Sequence, residues 1–404
     1  MSWASAKIGD IAEVVTKGTT PTTYGMPFTD SGVNFIKAEA LNGDTSLDRS
    51  GFTFVSESTH EKLKRSILNE HDVLLTIAGA QVGRCGFVRA AHLPANTNQA
   101  VGIVRVKREC AHPAFVYYYF KNPLTFQKFQ GLGGQAAQPN INLTMLKGVE
   151  LPLPDIRTQD AIVEILSAYD DLIETNRRRI ALLEEAARML YREWFVYFRF
   201  PSHEHIKITD GLPEGWERRT LDKIAENNCE SYRAKELPEE IDYIDISSVA
   251  HGSVVSKTRM PAVEAPGRAR RKVRDGDVIW SNVRPNLRAY ALILDPDDLD
   301  VVSTGFTVLS ASLVPFSWLY MFVTTDSFVG HLINHATGVG YPAVRSDDFE
   351  RAEVLLPPKA LLDHFHEATE PNLRLIRKLD QQNQKLAQAR DLLLPRLMNG
   401  EIAV

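Results

Sequence analysis

The chain has 404 residues, of which 44% are hydrophobic and 24% are charged, with a formal net charge of −5. These values predict a globular protein of two domains and argue against a disordered or histone-like chain. The three cysteines form no close pair, which excludes a disulfide framework or a cysteine-based zinc site and fits a reducing cytoplasm.

Residues 1–153 predict a first globular domain of mixed α and β structure. The N-terminal stretch lacks the apolar core of a signal peptide, and no apolar run of the chain is long enough to cross a membrane. We therefore expect a cytoplasmic protein. An aromatic stretch at 114–131 predicts one or two helices. Short apolar runs punctuated by glycine and proline predict strands at 33–41, 72–79, 86–90 and 101–107.

Residues 154–200 predict one long helix. Mostly apolar residues recur in it at alternating intervals of four and three. This spacing is typical of the a/d seam of a helix that packs against another helix. The seam consists of Ile162, Leu166, Tyr169, Ile173, Asn176, Ile180, Leu183, Ala187, Leu190 and Trp194. Asp155 or Thr158 is suited to cap the start, and Pro201 to end the helix. About 40 residues make a rod of roughly 60 Å, so the seam requires a partner helix.

A linker rich in proline, glycine and polar residues is predicted at 201–215, before a second globular domain at 216–356. The second domain contains a block of nine basic and three acidic residues. Arginines around the predicted strand 276–282 suit phosphates and guanine edges, so we interpret the block as a nucleic-acid surface rather than an ordinary solvated face. The basic residues are Lys257, Arg259, Arg268, Arg270, Arg271, Lys272, Arg274, Arg284 and Arg288.

Residues 357–404 predict the partner helix. Pro371 is expected to kink or interrupt its early turns, and Pro395 to end its seam. Asn176 and Gln382 occupy seam positions in the two helices, where a polar pair fixes the register at a cost in stability. The second seam consists of Phe365, Ala368, Asn372, Leu375, Leu379, Gln382, Leu386, Ala389 and Leu393.

The second half of the chain repeats the first. A proline-bracketed apolar phrase precedes each long helix, and phrases in the two globular domains also correspond. We therefore predict an α+β fold with an internal pseudo-twofold repeat, in which two mixed α/β domains are joined by two long antiparallel coiled-coil helices. The matching phrases are VELPLP at 149–154 with VLLPP at 354–358, HDVLLTI at 71–77 with GDVIWSN at 276–282, and GLGGQAAQPNI at 131–141 with ATGVGYPAVRS at 336–346.

Sequence motifs for catalysis are absent. The chain contains no G-x-x-x-x-G-K-[ST], G-x-S-x-G or HExxH motif, and no Asp/Asn-Pro-Pro-aromatic loop of an adenine methyltransferase. The nearest approach to a phosphate loop, at 79–86, lacks the lysine and the hydroxyl, and its counterpart at 283–290 has no glycine. These absences favour a non-catalytic chain over an autonomous enzyme that acts on nucleic acid. The basic block argues against a coiled-coil adaptor whose globular domains bind proteins.

Two stretches resemble the specificity (S) subunits of type I restriction-modification systems: VELPLPDIRTQDAIVEILSAYDDLIETNRRRIALLEEAARMLYREWF and VLLPP…KLAQARDLLLPRLMNGEI. The resemblance implies that each globular domain is a target recognition domain and that the helices are conserved spacers. The subunit would read a bipartite double-stranded DNA target with a fixed gap and direct adenine methylation and restriction by its partners.

The resemblance also implies the partners. Two methyltransferase (M) subunits would dock on the helices, and restriction (R) subunits would bind through them. S-adenosylmethionine, ATP and Mg²⁺ would belong to those subunits, so no cofactor is expected in this chain.

Matched loops in the two domains should face DNA in the same way, and their polar residues are the candidate DNA contacts. No catalytic or metal-binding residue is predicted. In the first domain the candidates are Thr19, Thr20, Lys37, Arg84, Gln135 and Asn140. In the second domain they are Lys257, Arg270, Arg271, Asn282, Arg284, Arg288, Tyr341 and Arg345.

Overall fold

The computed structural model describes residues 3–41, 47–132, 140–233, 235–338 and 340–404. The chain forms two compact units. Unit 1 comprises Met1–Asn176 and Gln382–Val404, and unit 2 comprises Arg177–Gln381. Each unit therefore contains part of both long helices that the sequence predicts.

The described residues of unit 1 alternate short strands with short helices. The strands are β1 (Ala4–Lys7), β2 (Ala12–Lys17), β3 (Val33–Ile36), β4 (Phe52–Val55), β5 (Val73–Thr76), β6 (Cys85–Phe87), β7 (Ala95–Thr97), β8 (Val101–Val106) and β9 (Glu150–Leu153). The helices are α1 (Ile8–Ile11), α2 (Glu57–Lys62), α3 (Pro113–Lys121), α4 (Pro123–Leu132) and α5 (Leu143–Lys147).

Two sheets form the body of unit 1, in the orders β2-β8-β5-β6 and β4-β3-β7. The central strand β5 is buried on both faces, because successive side chains point to opposite sides of a strand. Val73 and Leu75 pack into the cluster that contains α3, and Leu74 packs into the cluster of the second sheet. Strands β3 and β7 pair in parallel, whereas the other strand pairs of unit 1 are antiparallel.

The first long helix, α6 (Ile156–Tyr191), follows β9. Oδ1 of Asp155 accepts the backbone N–H groups of Arg157 and Thr158 at 3.1 Å each, which confirms the predicted cap. The prediction that Pro201 ends this helix is wrong. A π-helical turn runs to Val196, and the chain then turns out of the helix at Phe198, whose φ is 57°.

Unit 2 repeats this plan after α6. Its strands are β10 (Ile208–Thr209), β11 (Leu212–Pro213), β12 (Glu217–Thr220), β13 (Ala225–Asn227), β14 (Glu240–Ile244), β15 (Val249–Val254), β16 (Thr258–Pro261), β17 (Ala269–Arg271), β18 (Val278–Ser281), β19 (Tyr290–Leu292), β20 (Asp300–Ser303), β21 (Phe306–Ala311) and β22 (Glu353–Leu356). Its helices are α7 (Phe316–Val323), α8 (Asp326–His335) and α9 (Ser346–Glu350), and the second long helix, α10 (Lys359–Met398), begins in unit 2 and ends in unit 1.

The sheet orders of unit 2 are β13-β21-β18-β19-β15 and β16-β14-β20-β17. They reproduce the orders of unit 1 with one strand added to each sheet, β15 and β17. The parallel pair recurs as β14 with β20. In both units a two-stranded ribbon, β1 with β9 or β12 with β22, precedes a long helix. The predicted α+β fold with an internal repeat is confirmed.

Helix α10 runs without a break through Pro371 and Pro395, so the predicted interruption and early end are both wrong. Each proline removes one backbone hydrogen bond, and packing of the helix on its neighbours outweighs that loss. Among the described residues, no helix has the length and hydropathy needed to cross a bilayer.

The two long helices pack against each other in antiparallel fashion within each unit. In unit 1, the amide of Asn176 donates to Oδ1 of Asn383 at 3.0 Å and to Oε1 of Gln382 at 3.2 Å. In unit 2, the ring of Phe365 lies 5.0 Å from that of Phe195 and 6.0 Å from that of Tyr191.

The buried face of α10 is displaced by one residue from the predicted seam. Phe365 and Leu379 are buried as expected, but at five other predicted positions the buried residue is the one that follows: Thr369, Leu373, Asn383, Arg390 and Leu394. One cause of this displacement is Arg390, because a prediction from the spacing of hydrophobic residues does not place a charged residue in the core. Its side chain is 3% exposed, and Nη1 lies 2.5 Å from Oδ1 of Asp170 on α6.

Candidate nucleic-acid interface

A turn follows the central strand of each unit and occupies the same place in both. In unit 1 the turn spans residues 77–84, and in unit 2 it spans 282–289. The N–H of Ile141 donates to the carbonyl of Ile77 at 2.8 Å, and the N–H of Val344 donates to that of Asn282 at 2.8 Å. We name these the paired turns, because each is joined to a later loop by the same backbone contact.

The paired turns bring together several of the predicted site residues. In unit 1, Asn140 forms a β-bridge with Ala78 of the turn. In unit 2, the guanidinium carbon of Arg284 lies 4.7 Å from the ring centre of Tyr341, and both side chains are exposed. Arg345 is exposed in the same loop as Tyr341. Oδ1 of Asn282 accepts the hydroxyl of Thr307 at 2.7 Å, which attaches the turn to β21.

Two of the residues predicted to contact DNA form ion pairs within unit 2. The ammonium of Lys257 lies 2.5 and 2.6 Å from the carboxylate oxygens of Asp300, which is 5% exposed. Because a buried carboxylate needs a counter-charge, Lys257 has a structural task in unit 2. Arg288 pairs with Asp326, whose side chain is 87% exposed.

A second feature shared by the units is an arginine that donates to a hydroxyl in the loop after the first sheet strand. Nη2 of Arg65 lies 3.1 Å from Oγ1 of Thr19, and Nη1 of Arg271 lies 3.1 Å from Oγ of Ser231. We name these the arginine–hydroxyl clamps. Only glycine is accommodated at position 18, next to Thr19 of the first clamp, because an added Cβ would lie 2.2 Å from the carbonyl oxygen of Thr97.

Exposed basic residues lie at the clamps in both units. They are Lys62, Lys64 and the clamp residue Arg65 in unit 1, and Arg268 in unit 2. Sequence reasoning missed the cluster in unit 1, although the run Lys62-Leu63-Lys64-Arg65 was a usable charge signal. Arg270 is half-buried, and its Nη1 donates to the carbonyl of Ala269 at 2.6 Å.

The remaining candidates lie at separate places in unit 1. Thr20 precedes a 3₁₀ turn, Pro21–Tyr24. The ammonium of Lys37 lies 4.5 Å from the ring centre of Phe28. Arg84 lines a pocket of about 420 Å³ together with Lys121 and Arg390, and so lies beside α10. Gln135 lies outside the described residues.

Each unit has an aspartate immediately before its central strand, but the aspartate has a different partner in each unit. In unit 1, Asp72 accepts two hydrogen bonds of 2.8 Å from the guanidinium of Arg105. In unit 2, the same place is taken by Asp277, beside which Ser310 replaces the arginine. Burial therefore raises the pKa of Asp277 above its ordinary value.

The part of the chain that the structure describes contains no group of three or more His, Cys, Asp or Glu side chains that could hold a metal ion. The features that the units share are a turn after the central strand and exposed basic residues at the clamps, and such basic residues suit contacts with a polyanion.

Comparison with known proteins gives consistent matches. Residues 1–185 match the family model described as the type I restriction modification DNA specificity domain. Two specificity subunits of Methanocaldococcus jannaschii align with all of this chain: that of the type I restriction enzyme MjaIX is 24% identical over 94% of its own length, and that of MjaVIII is 22% identical over 93%.

A solved structure has the same fold. The crystal structure of a type I restriction-modification S subunit from M. genitalium aligns with a TM-score of 0.60 over 98% of this chain and 96% of that one, at 16% identity.

Proposed function

This chain belongs to the family of DNA specificity subunits of type I restriction-modification systems, and from that premise we propose that each of its units reads one half of a bipartite DNA target. A specificity subunit is itself non-catalytic and directs methylation and restriction by its complex. The observation that carries the proposal is the paired turn. The same backbone element occurs in both units and presents different side chains in each, as expected for two similar readers of two different sequences.

In this proposal residues 1–153 and 216–356 are the target recognition domains. The helices at 154–200 and 357–404 set the gap between the two half-sites, and 201–215 links the second domain to the first helix. Base contacts come from the paired turns and their partner loops, which include Asn140, Arg284 and Tyr341. The exposed basic residues beside the arginine–hydroxyl clamps contact phosphates, because such contacts position a protein on DNA without sequence preference.

The docking of two methyltransferase subunits is supported by exposed apolar residues on the long helices. Three such residues follow one another at intervals of seven: Leu182 and Met189 on α6, and Val196 in the π-helical turn that follows it. They are 59%, 50% and 50% exposed. Leu392 on α10 is 72% exposed and stands at the position of the repeat that corresponds to Met189. Exposed apolar residues aligned on one helix face indicate a partner surface.

In this proposal each methyltransferase subunit binds one of these surfaces. The restriction subunits bind to the methyltransferase subunits and not directly to this chain. S-adenosylmethionine, ATP and Mg²⁺ then act in those cytoplasmic partners.

A binding competition tests the proposed function. The chain is purified as a complex with its methyltransferase subunits and mixed with a labelled random duplex library, and bound duplexes are selected and sequenced. We expect enrichment of two short blocks at a fixed spacing, with specific duplexes bound at least about 10³-fold more tightly than unrelated ones. Selection without any sequence enrichment would contradict the proposal and favour the adaptor interpretation.

A further inference from the structure

The paired turns have positive φ at the same two positions, which different residues occupy in the two units. In unit 1 the left-handed positions are Gly79, with φ 95°, and Gly83, with φ 93°. The corresponding positions of unit 2 hold Arg284, with φ 49°, and Arg288, with φ 53°. Glycine adopts positive φ without a steric penalty, whereas arginine is strained there. Unit 2 therefore holds two strained residues where unit 1 has none.

Packing explains the glycine at one position but not at the other. A Cβ added to Gly83 would lie 3.1 Å from the ring of Phe126, whereas a Cβ added to Gly79 meets no atom within 4 Å. Gly79 is therefore required by its conformation and not by lack of space. The turn of unit 1 also shows that glycine is compatible with this fold at both positions.

The contacts that Arg284 and Arg288 make within unit 2 offset little of their backbone strain. Arg284 lies over Tyr341, which is itself 58% exposed, and Arg288 pairs with the largely exposed Asp326. Exposed cation–π contacts and exposed ion pairs add little to stability. Strained residues that the fold does not require are concentrated at functional sites.

A third position differs between the turns. Val82 in unit 1 is fully buried, whereas the corresponding Leu287 in unit 2 is 62% exposed. Pro285 in the same turn is buried and fixes it to the body of the unit. Unit 2 thus presents an arginine, a leucine and a tyrosine from one rigid turn and its partner loop.

We infer that the turn at 282–289 is the base-reading element of unit 2, and that Leu287 is a specificity-determining residue. Arg284 donates to the O6 and N7 acceptors of a guanine in the major groove, and Leu287 contacts the 5-methyl group of a thymine. The strain at Arg284 and Arg288 is retained because these side chains bind DNA. This inference rests on the proposed function and identifies the atoms that unit 2 recognises.

Glycine variants separate a binding role from a structural one. In the complex with the methyltransferase subunits, we expect Arg284→Gly to leave the thermal midpoint unchanged or higher. We expect it to weaken binding of the selected target about tenfold to hundredfold, with little effect on unrelated DNA. Arg284→Lys is the matched control, since it keeps the charge and the strain but lacks the rigid planar fork of donors that matches guanine O6 and N7. It should lose specificity without gaining stability. A lower midpoint with unchanged affinity for Arg284→Gly would overturn the inference.

Base analogues test the leucine directly. Thymines of the selected half-site are replaced one at a time by deoxyuridine, which lacks the methyl group. We expect one replacement to weaken binding by the wild-type complex severalfold and to have no effect on the Leu287→Ala complex. Equal effects on both complexes, or no sensitive thymine, would overturn the assignment of Leu287. Sequence selection by the wild-type complex is measured in the same assay, so failure of this inference is distinguishable from failure of the proposed function.

Discussion

The side-chain amide of Asn176 donates to Oδ1 of Asn383 over 3.0 Å within the contact between the two long helices. Asn176 is 1% exposed and Asn383 is 8% exposed. A buried polar pair of this kind is favourable only in one alignment, because any shift along the helices leaves donors and acceptors without partners. The pair therefore fixes the register of α6 against α10 in unit 1.

We predict that Asn176→Leu destabilises the protein by about 1–3 kcal/mol, since the variant leaves the amide of Asn383 buried with an acceptor unpaired. The double variant Asn176→Leu with Asn383→Leu should recover most of that loss, because both polar groups are then gone. Urea denaturation of the two variants and the wild type measures both effects. A single variant as stable as the wild type would show that the pair has no such role.

The sequence predicted the large features of the fold because they depend on periodic patterns. The predicted seam of α6 is confirmed at Ile162, Leu166, Ile173, Asn176 and Ala187, which are buried, whereas at its end Tyr191 and Phe195 are buried in place of Leu190 and Trp194. The repeat predicts equivalent sheets, and both units contain them. The seam of α10 was displaced by one residue, because a charged residue, Arg390, is buried through its pairing with Asp170. Apolar spacing contains no information about such a pair.

The candidate interface could be predicted only in part, for a different physical reason. Charge and matched loops indicated Arg284 and Tyr341, and the structure brings them together. The equivalence of Arg284 with Gly79 could not be predicted from the sequence. Arginine seldom adopts a left-handed conformation, and the identity of a residue does not reveal its φ. Likewise, the engagement of Lys257 by Asp300 depends on contacts 43 residues apart in the chain.

The repeated carboxylates Asp72 and Asp277 should respond in opposite ways to the same substitution. At pH 7, Asp72→Asn should destabilise unit 1 by about 1–3 kcal/mol, because it weakens two charge-assisted bonds to Arg105. Asp277→Asn should stabilise unit 2 by about 1 kcal/mol or less, because it removes a buried charge whose pKa is raised.

The pH dependence of the Asp277 effect has a defined sign. Since the folded pKa lies above the unfolded value of 3.8, the charged form opposes folding, and this penalty grows as the pH rises from the unfolded towards the folded pKa. The advantage of Asp277→Asn should accordingly be largest at neutral pH and vanish below about pH 4. Thermal unfolding of both variants across this range measures it, and effects of the same sign for the two aspartates would contradict the interpretation.

The exposed lysine beside the first arginine–hydroxyl clamp should act on DNA without regard to sequence. We expect Lys64→Ala to weaken binding of specific and unrelated duplexes by the same factor and to reduce the slope of log K against log salt by about 1. Lys147→Ala is the control, because Lys147 is also exposed but lies on α5, away from the clamp. Unequal effects on the two duplexes would point to base recognition, and an unchanged slope would exclude a phosphate contact.

The two proposed docking surfaces predict a stepwise loss of partners. Met189→Asp and Leu392→Asp should each leave a complex with one methyltransferase subunit, and the double variant should bind none, because a carboxylate in an apolar contact is costly. Analytical ultracentrifugation gives the stoichiometry. Ala181→Asp adds the same charge at another exposed position of α6, about 80° around the helix from Met189, and should retain both subunits. Two subunits retained on the double variant would place the docking surface elsewhere.

The central claim, that each unit reads one half of a split target, is tested most directly by mapping modified adenines across a genome. The chain is expressed with its methyltransferase subunits in a host that lacks adenine methylation, with and without the substitutions Arg284→Gly and Leu287→Ala. We predict that the wild type modifies a motif of two short blocks with a fixed gap, and that the variant relaxes one block while the other block and the gap stay unchanged. An unsplit motif, or changes in both blocks at once, would contradict the claim.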